Sequence, residues 1–243
     1  MPKFFTEKEN ISEESALITG ENVKHISKVL RKKEGDILTL CDGEGMDYAV
    51  RIESITGESI TCTVLNRYRC EAEAPVFITL YQGLPKGDKT EQVIQKCTEL
   101  GVSRIVPVET EFSVAKIKKD NKTERYNKIA LSAAKQCGRG IVPKVMPPLK
   151  FKEAVEQAAA SGALNLIPYE REEETSVKKA LSGFKGKYIN IFIGPEGGFS
   201  ENEIELAKEC GFIPITLGKR ILRCETAGMV TIAILLYEIE YGE

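Results

Sequence analysis

Two short loops hold most of the residues able to do chemistry. Gly194-Pro195-Glu196-Gly197-Gly198 follows an apolar, β-branched run (Tyr188–Ile193) and leads through Ser200 into a helix. Gly218-Lys219-Arg220-Ile221-Leu222-Arg223 follows a second such run and leads through Glu225-Thr226-Ala227-Gly228 into the last helix. Glycine admits φ values closed to other residues and proline stiffens a turn, so the first loop can hold backbone N–H and C=O groups against a small ligand. Ser200 with Glu203 three residues later has the form of a capping box. The second loop adds charge. Arg220 and Arg223 flank Ile221-Leu222, so two guanidiniums can reach a phosphate or a base while aliphatic chains and backbone meet a flat ring. Glu225 is a candidate general base, although a carboxylate there also favours the positive end of its own helix, and Thr226 can cap it.

Spacing excludes several chemistries. Glu196 stands at the second glycine position of Gly-x-Gly-x-x-Gly. Phe199 stands where a P-loop needs its second glycine, with no Lys-Ser/Thr after it. There is no Gly-x-Ser-x-Gly, and His25 is the one histidine, which argues against serine or cysteine hydrolases and against a zinc cluster. No metal is expected.

The elements that must position these loops alternate. Val76–Tyr81 reads as a strand. Asp88 with Glu91 reads as the capping signature of a helix to Leu100, and Arg104–Val108 as the next strand. Helices are expected at about 123–137, 150–160 and 174–183, with a strand at Ala163–Ile167. Such alternation implies a parallel sheet covered by helices, whose ligands bind outside the carboxyl ends of the strands, here after Ile167, Ile193 and Leu217. Upstream of about residue 72 the chain reads as a small β-barrel-like domain with strands at Asp36–Cys41, Tyr48–Ile55 and Ser59–Leu65. Gly20–Leu30 reads as a helix ending in the basic cluster Lys24, Lys28, Arg31, Lys32 and Lys33. The stretch Glu71–Pro75 is the expected linker, giving domains 1–72 and 73–243. Lys116–Lys128 is the one strongly basic run, readable as a charged surface.

With 243 residues, 42% apolar and a formal charge of −2, the chain suits a globular protein whose basic footprint is local. The seven cysteines never form Cys-x-x-Cys, and the N-terminal residues lack the apolar core of a signal peptide. A reducing, cytoplasmic setting without a membrane partner is expected. The last helix is apolar nearly all round, so it should be buried within its domain or against a second copy.

Ile193–Ser200, Leu217-Gly218 and Arg220-Ile221-Leu222-Arg223-Cys224-Glu225-Thr226-Ala227 closely resemble the ribosomal RNA small subunit methyltransferase E family. Leu84–Asp88, Ile94–Val102, Gln136-Cys137-Gly138-Arg139 and the His25 to Arg31 region resemble it too, so the resemblance covers nearly the whole chain. Lys24, Pro168 and Lys219 depart from the family's pattern. The resemblance implies a PUA-like β-barrel followed by a SPOUT-class α/β domain with a parallel sheet and a deep trefoil knot. It also implies S-adenosylmethionine as cofactor, methylation of N3 of one uridine near the decoding site of 16S rRNA in the 30S subunit, and a homodimer. On this sequence the cofactor would meet Leu166, Ile167, Gly194, Pro195, Glu196, Gly198, Leu217, Gly218, Ile221, Leu222, Arg223 and Thr226. The catalytic candidates are Arg223, Arg220 and Glu225. RNA would meet Lys28, Arg31, Lys86, Lys96, Arg139 and Arg220. The alternatives are another RNA target, or a non-catalytic RNA-binding or ribosome-assembly module.

Overall fold

In the computed structural model, which describes residues 3–117 and 122–242, alternation near the N-terminus produces strands where it was expected and two more. The elements there are β1 (Lys3–Phe5), β2 (Ser15–Thr19), α1 (Glu21–Lys24), β3 (Ile37–Cys41), β4 (Met46–Ile55) and β5 (Ser59–Arg69). They form one sheet in the order β1-β3-β4-β5-β2, antiparallel except where β1 runs beside β3. Alternate residues at the inner end of the long β4–β5 hairpin point inward, and a register shift between Ala49 and Val50 breaks the pattern further out. Val50, Ile52, Ile60 and Cys62 join Ile18, Leu38 and Leu40 in a closed apolar cluster. α1 continues through a wider π-type turn at His25–Val29, and Val23 and Ile26 are the side chains it buries there. β1 and β2 escape sequence reading because they are only three and five residues long.

The chain divides into two units, Met1–Glu73 with Ala134–Val142, and Ala74–Ala133 with Pro143–Glu243. The second contains β6 (Phe77–Gly83), α2 (Lys89–Glu99), β7 (Arg104–Glu109), most of α3 (Thr123–Cys137), β8 (Lys144–Val145), β9 (Leu149–Lys150), α4 (Phe151–Ala160), β10 (Leu164–Pro168), α5 (Val177–Ala180), β11 (Tyr188–Ile193), α6 (Glu201–Glu209), β12 (Ile213–Ile215) and α7 (Cys224–Tyr241). Its sheet runs β12-β10-β11-β6-β7-β8, with β9 also on β7, and every pairing is parallel. A parallel sheet covered on both faces needs strands that are apolar throughout, and β6 and β11 are buried almost from end to end.

An aromatic core lies under the strand ends that matter. Tyr81 and Phe192 stack with centroids 4.2 Å apart, Phe212 meets Phe192 edge-on, and Phe151 packs against both Phe192 and Phe199. One buried polar pair crosses the same sheet, where the Asn190 amide donates to Asn165 Oδ1 at 2.7 Å and to Ser161 Oγ at 3.1 Å.

All seven cysteines are free thiols. Among the described residues no helix is long and apolar enough to cross a membrane. Met1 and Pro2 and, within the basic run at 116–128, residues 118–121 lie outside the described residues.

Candidate active site

Because β6, β10, β11 and β12 are parallel, their carboxyl ends share one edge, and the loops after them meet there. The loop after β11 is clamped at both ends by aromatics, since Phe192 precedes it and Phe199, 7% exposed, follows it. Ser200 and Glu203 form the expected capping box, with Ser200 N–H donating to Glu203 Oε2 at 3.0 Å. The other Glu203 oxygen accepts from the Glu111 N–H at 2.9 Å, which ties the segment after β7 to the same helix start.

Within the loop, glycine is required by contact rather than by turn preference. A Cβ on Gly83 would stand 2.6 Å from the Pro195 nitrogen, and one on Gly194 would stand 2.9 Å from the Gly198 carbonyl carbon. Gly198 has φ +69° and faces the Glu170 carboxylate, which a Cβ there would approach to 3.2 Å. The β6 end and the β11 loop are thus pressed backbone to backbone.

A lysine that sequence reading missed joins three segments. Lys89 Nζ lies 3.0 Å from Glu196 Oε1 and 3.4 Å from Glu225 Oε2, and the Lys86 N–H donates to Glu196 Oε1 at 3.2 Å. The Cys224 thiol donates to Glu225 Oε2 at 3.2 Å, and burial first, then that hydrogen bond, pushes the thiol up to about 12. Burial alone would raise both carboxylates. For Glu196 the Lys89 ammonium and backbone N–H groups outweigh it, and for Glu225 its own N–H, the Cys224 thiol and Lys89 do, so both stay below their ordinary value. Lys89 is raised, chiefly by its hydrogen bond to Glu196.

The loop after β12 is built differently. Gly218, Lys219, Arg220, Ile221 and Arg223 are exposed, with Ile221 at 91%, while Leu217 and Leu222 are half-buried. Among the described residues neither Arg220 nor Arg223 has an ion-pair partner. Arg223 is the N-cap of α7 with no side-chain cap, so Thr226 does not cap this helix and Glu225 serves Lys89 instead. Asp88 likewise forms no side-chain cap on α2, and Glu91 turns to Arg125 at 2.7 Å, so the expected capping box there is absent.

Leu166 and Ile167 are fully buried, and only their backbone is available to a ligand. Gly194, Pro195, Glu196, Gly198 and Glu225 come together around Lys89 and Gly83, with Arg223 and Thr226 flanking Glu225 in the chain. Of the residues expected to meet RNA, Lys86 and Arg220 are exposed in this unit, and Lys96 is held by Glu99 at 2.9 Å. Lys28 and Arg31 are exposed in the first unit, and Arg31 ends its turn at φ +51°. Arg139 is a correction. It is 2% exposed and paired with Glu73 at 2.7 Å, while Glu73 also accepts from the Gly140 and Ile141 N–H groups. A guanidinium closed in this way organises its own segment and is not open to RNA.

The donor set suits S-adenosylmethionine better than a phosphate ligand. It offers backbone amides and carbonyls held in place by close glycine packing, aliphatic Leu217 and Leu222, and three carboxylates, Glu170, Glu196 and Glu225, against Lys89, the cation that pairs with the last two.

Comparison with known proteins agrees with this geometry. Residues 72–236 match the model of an RNA methyltransferase domain, and residues 18–65 that of an RNA methyltransferase PUA domain. The ribosomal RNA small subunit methyltransferase E of Bacillus subtilis is 35% identical over 99% of this chain and 98% of its own. That of Buchnera aphidicola is 33% identical over 97% of this chain and 92% of its own. The solved structure of the Neisseria gonorrhoeae protein of the same name, bound to S-adenosyl methionine, is 32% identical, with a TM-score of 0.82 and coverage of 99% and 98%.

Proposed function

The chain belongs to the ribosomal RNA small subunit methyltransferase E family, and on that premise we propose that it methylates N3 of one uridine near the decoding site of 16S rRNA. It is an S-adenosylmethionine-dependent RNA methyltransferase, with an RNA methyltransferase PUA domain before a SPOUT-type parallel-sheet domain. The observation that carries the proposal is the Lys89 tie, which joins the start of α2 to the glycine loop and to the start of α7, the helix that Arg223 leads into.

S-adenosylmethionine supplies an electrophilic methyl group on a cationic sulfur. Gly194–Gly198 and Leu217–Leu222 hold the cofactor by backbone and aliphatic contacts, with the backbone of Leu166 and Ile167 behind them. Alignment of this kind is worth roughly 7–11 kcal/mol when the reacting atoms are held in line. The N3 position of uracil must shed its imide proton as it becomes a nucleophile. Arg223 and Arg220, both exposed and without carboxylate partners among the described residues, stabilise the negative charge that then develops on the ring. Glu225 positions Lys89. A carboxylate whose proton affinity is lowered by its neighbours is a weak base, so the imide proton is not assigned to it.

RNA docking is assigned to Lys28 and Arg31 on the first unit and to Lys86 and Arg220 on the second, with Lys96 at its edge. The knot is part of the same reading, supported by the order β12-β10-β11-β6, in which the last strand before α7 lies outside β10. A homodimer is supported by Ile234, Tyr237 and Tyr241, which leave apolar surface exposed along α7. A cytoplasmic location belongs to the same proposal, because that is where an rRNA substrate would be met.

The test is incubation of 30S subunits lacking the modification with protein and S-adenosylmethionine, followed by nucleoside mass spectrometry of the 16S rRNA. Formation of 3-methyluridine is expected; a different methylated nucleoside, or none, contradicts the proposal.

A further inference from the structure

An exposed aromatic ring stands beside the cofactor loop, and the methyl-transfer chemistry above makes no use of it. Phe112 is 46% exposed, and Val114 and Ile117 on the same segment are 64% and 38% exposed. The ring is seated on Gly197, where an added Cβ would lie 2.9 Å from Phe112 Cβ and 3.5 Å from its Cγ. Glycine at 197 therefore leaves the space that the phenyl group occupies.

The turn bearing Phe112 is held on both sides. Thr110 N–H donates to Ser113 Oγ at 3.0 Å and Ser113 N–H to Thr110 O at 3.2 Å. Glu203 takes the Glu111 N–H, and Glu109 takes the Ile117 N–H at 2.8 Å. A ring carried on a backbone held this firmly, packed on Gly197 and half in water, offers a face to a partner rather than to a core. The same segment carries a cation, Lys116, four residues on and exposed, paired to Glu109 at 3.4 Å.

A flat apolar face with positive charge beside it matches an unpaired nucleotide, which presents a π face and a phosphate. We propose that Phe112 is a stacking platform for an unpaired base of the RNA substrate, held at the rim of the Gly194–Gly198 loop. The inference rests on the RNA methyltransferase reading and extends it to a substrate-positioning residue. Stacking is indifferent to base identity, so Phe112 contributes to residence of the RNA and not to the choice of uridine.

The test compares Phe112→Ala, Phe112→Leu and Phe112→Tyr with the wild type in three measurements. These are calorimetric binding of S-adenosylmethionine, binding of a single-stranded uridine-containing RNA oligonucleotide, and methylation of 30S subunits. Alanine and leucine are expected to weaken oligonucleotide binding and lower kcat/KM for 30S about ten- to one-hundred-fold, while tyrosine stays within about twofold. Cofactor affinity stays unchanged in all three. Equal oligonucleotide affinity in every variant overturns the inference, as does rescue by leucine as full as by tyrosine. A fall in cofactor affinity that parallels the RNA effect also overturns it, because Phe112 would then only prop the glycine loop. If the wild type forms no 3-methyluridine while oligonucleotide binding still needs an aromatic residue, the platform stands and the proposed function falls.

Discussion

The two loops that face the same sheet edge are built on opposite plans. Gly194–Gly198 is pinned from every direction: Gly83 behind it, Phe192 and Phe199 at its ends, Lys86 N–H and Lys89 on its one carboxylate, and Phe112 over Gly197. Gly218–Arg223 has the Gly218 N–H to Thr216 Oγ1 bond at 3.2 Å at one end and the helix start at the other, with Ile221 almost wholly in solvent between them. The difference teaches that the first loop is held by the protein's own contacts, whereas the second is left open, as the proposed function requires of a loop that closes on what it binds. Preorganisation belongs where the cofactor is first aligned, and freedom belongs where a loop must settle over the cofactor and also admit a large RNA.

If this contrast is real, equivalent substitutions in the two loops must differ. Gly83→Ala forces a methyl onto the Pro195 backbone, so it should cost about 1–3 kcal/mol in a thermal or denaturant melt and reduce cofactor affinity at least about tenfold by calorimetry. Lys89→Met frees the glycine loop from α7 without touching either backbone. Its kcat on 30S should fall on the order of ten- to one-hundred-fold, with the RNA KM nearly unchanged, and Lys89→Arg should restore most of it. Gly218→Ala meets no atom within 4 Å and bears only the strain of φ +96°, about 1 kcal/mol of stability with little change in cofactor affinity.

Acidity sharpens the contrast further. Glu196 and Glu225 are depressed in the folded protein, so their contribution to stability is present above the ordinary carboxylate range and is lost as pH falls through their lowered folded values. Cofactor affinity should hold steady around neutrality and drop only below that range. The wild-type drop should shrink in Lys89→Met, which calorimetry across a pH series can check. Smallest of all, Ile221→Ser should leave the unfolding free energy from a denaturant melt within about 0.5 kcal/mol of wild type, because that side chain is 91% exposed.

The same contrast explains what the sequence could reveal. Loop and strand ends were legible because glycine, proline and β-branched residues act locally, and Ser200 with Glu203 caps α6 as their spacing predicts. Lys89 was not legible, since its partner Glu196 lies 107 residues away and only the parallel sheet brings them together. Asp88 and Glu91 have the spacing of a capping box, yet Arg125 from α3 takes the Glu91 carboxylate. Arg139 was expected to meet RNA because Gln136-Cys137-Gly138-Arg139 resembles the family's pattern. Its real partner, Glu73, is supplied by the return of residues 134–142 to the N-terminal unit. Phe112 carried no signal in the sequence, and only the missing Cβ of Gly197 beneath it shows that its place is prepared.

The most direct test of the contrast is deuterium uptake by the two loops, measured with and without S-adenosylmethionine on the full chain. The account predicts slow uptake across 193–200 in the free protein with little further change, and fast uptake across 217–224 that slows when cofactor binds. Equal uptake by both loops in the free protein, or protection that develops mainly in 193–200 on binding, would contradict it.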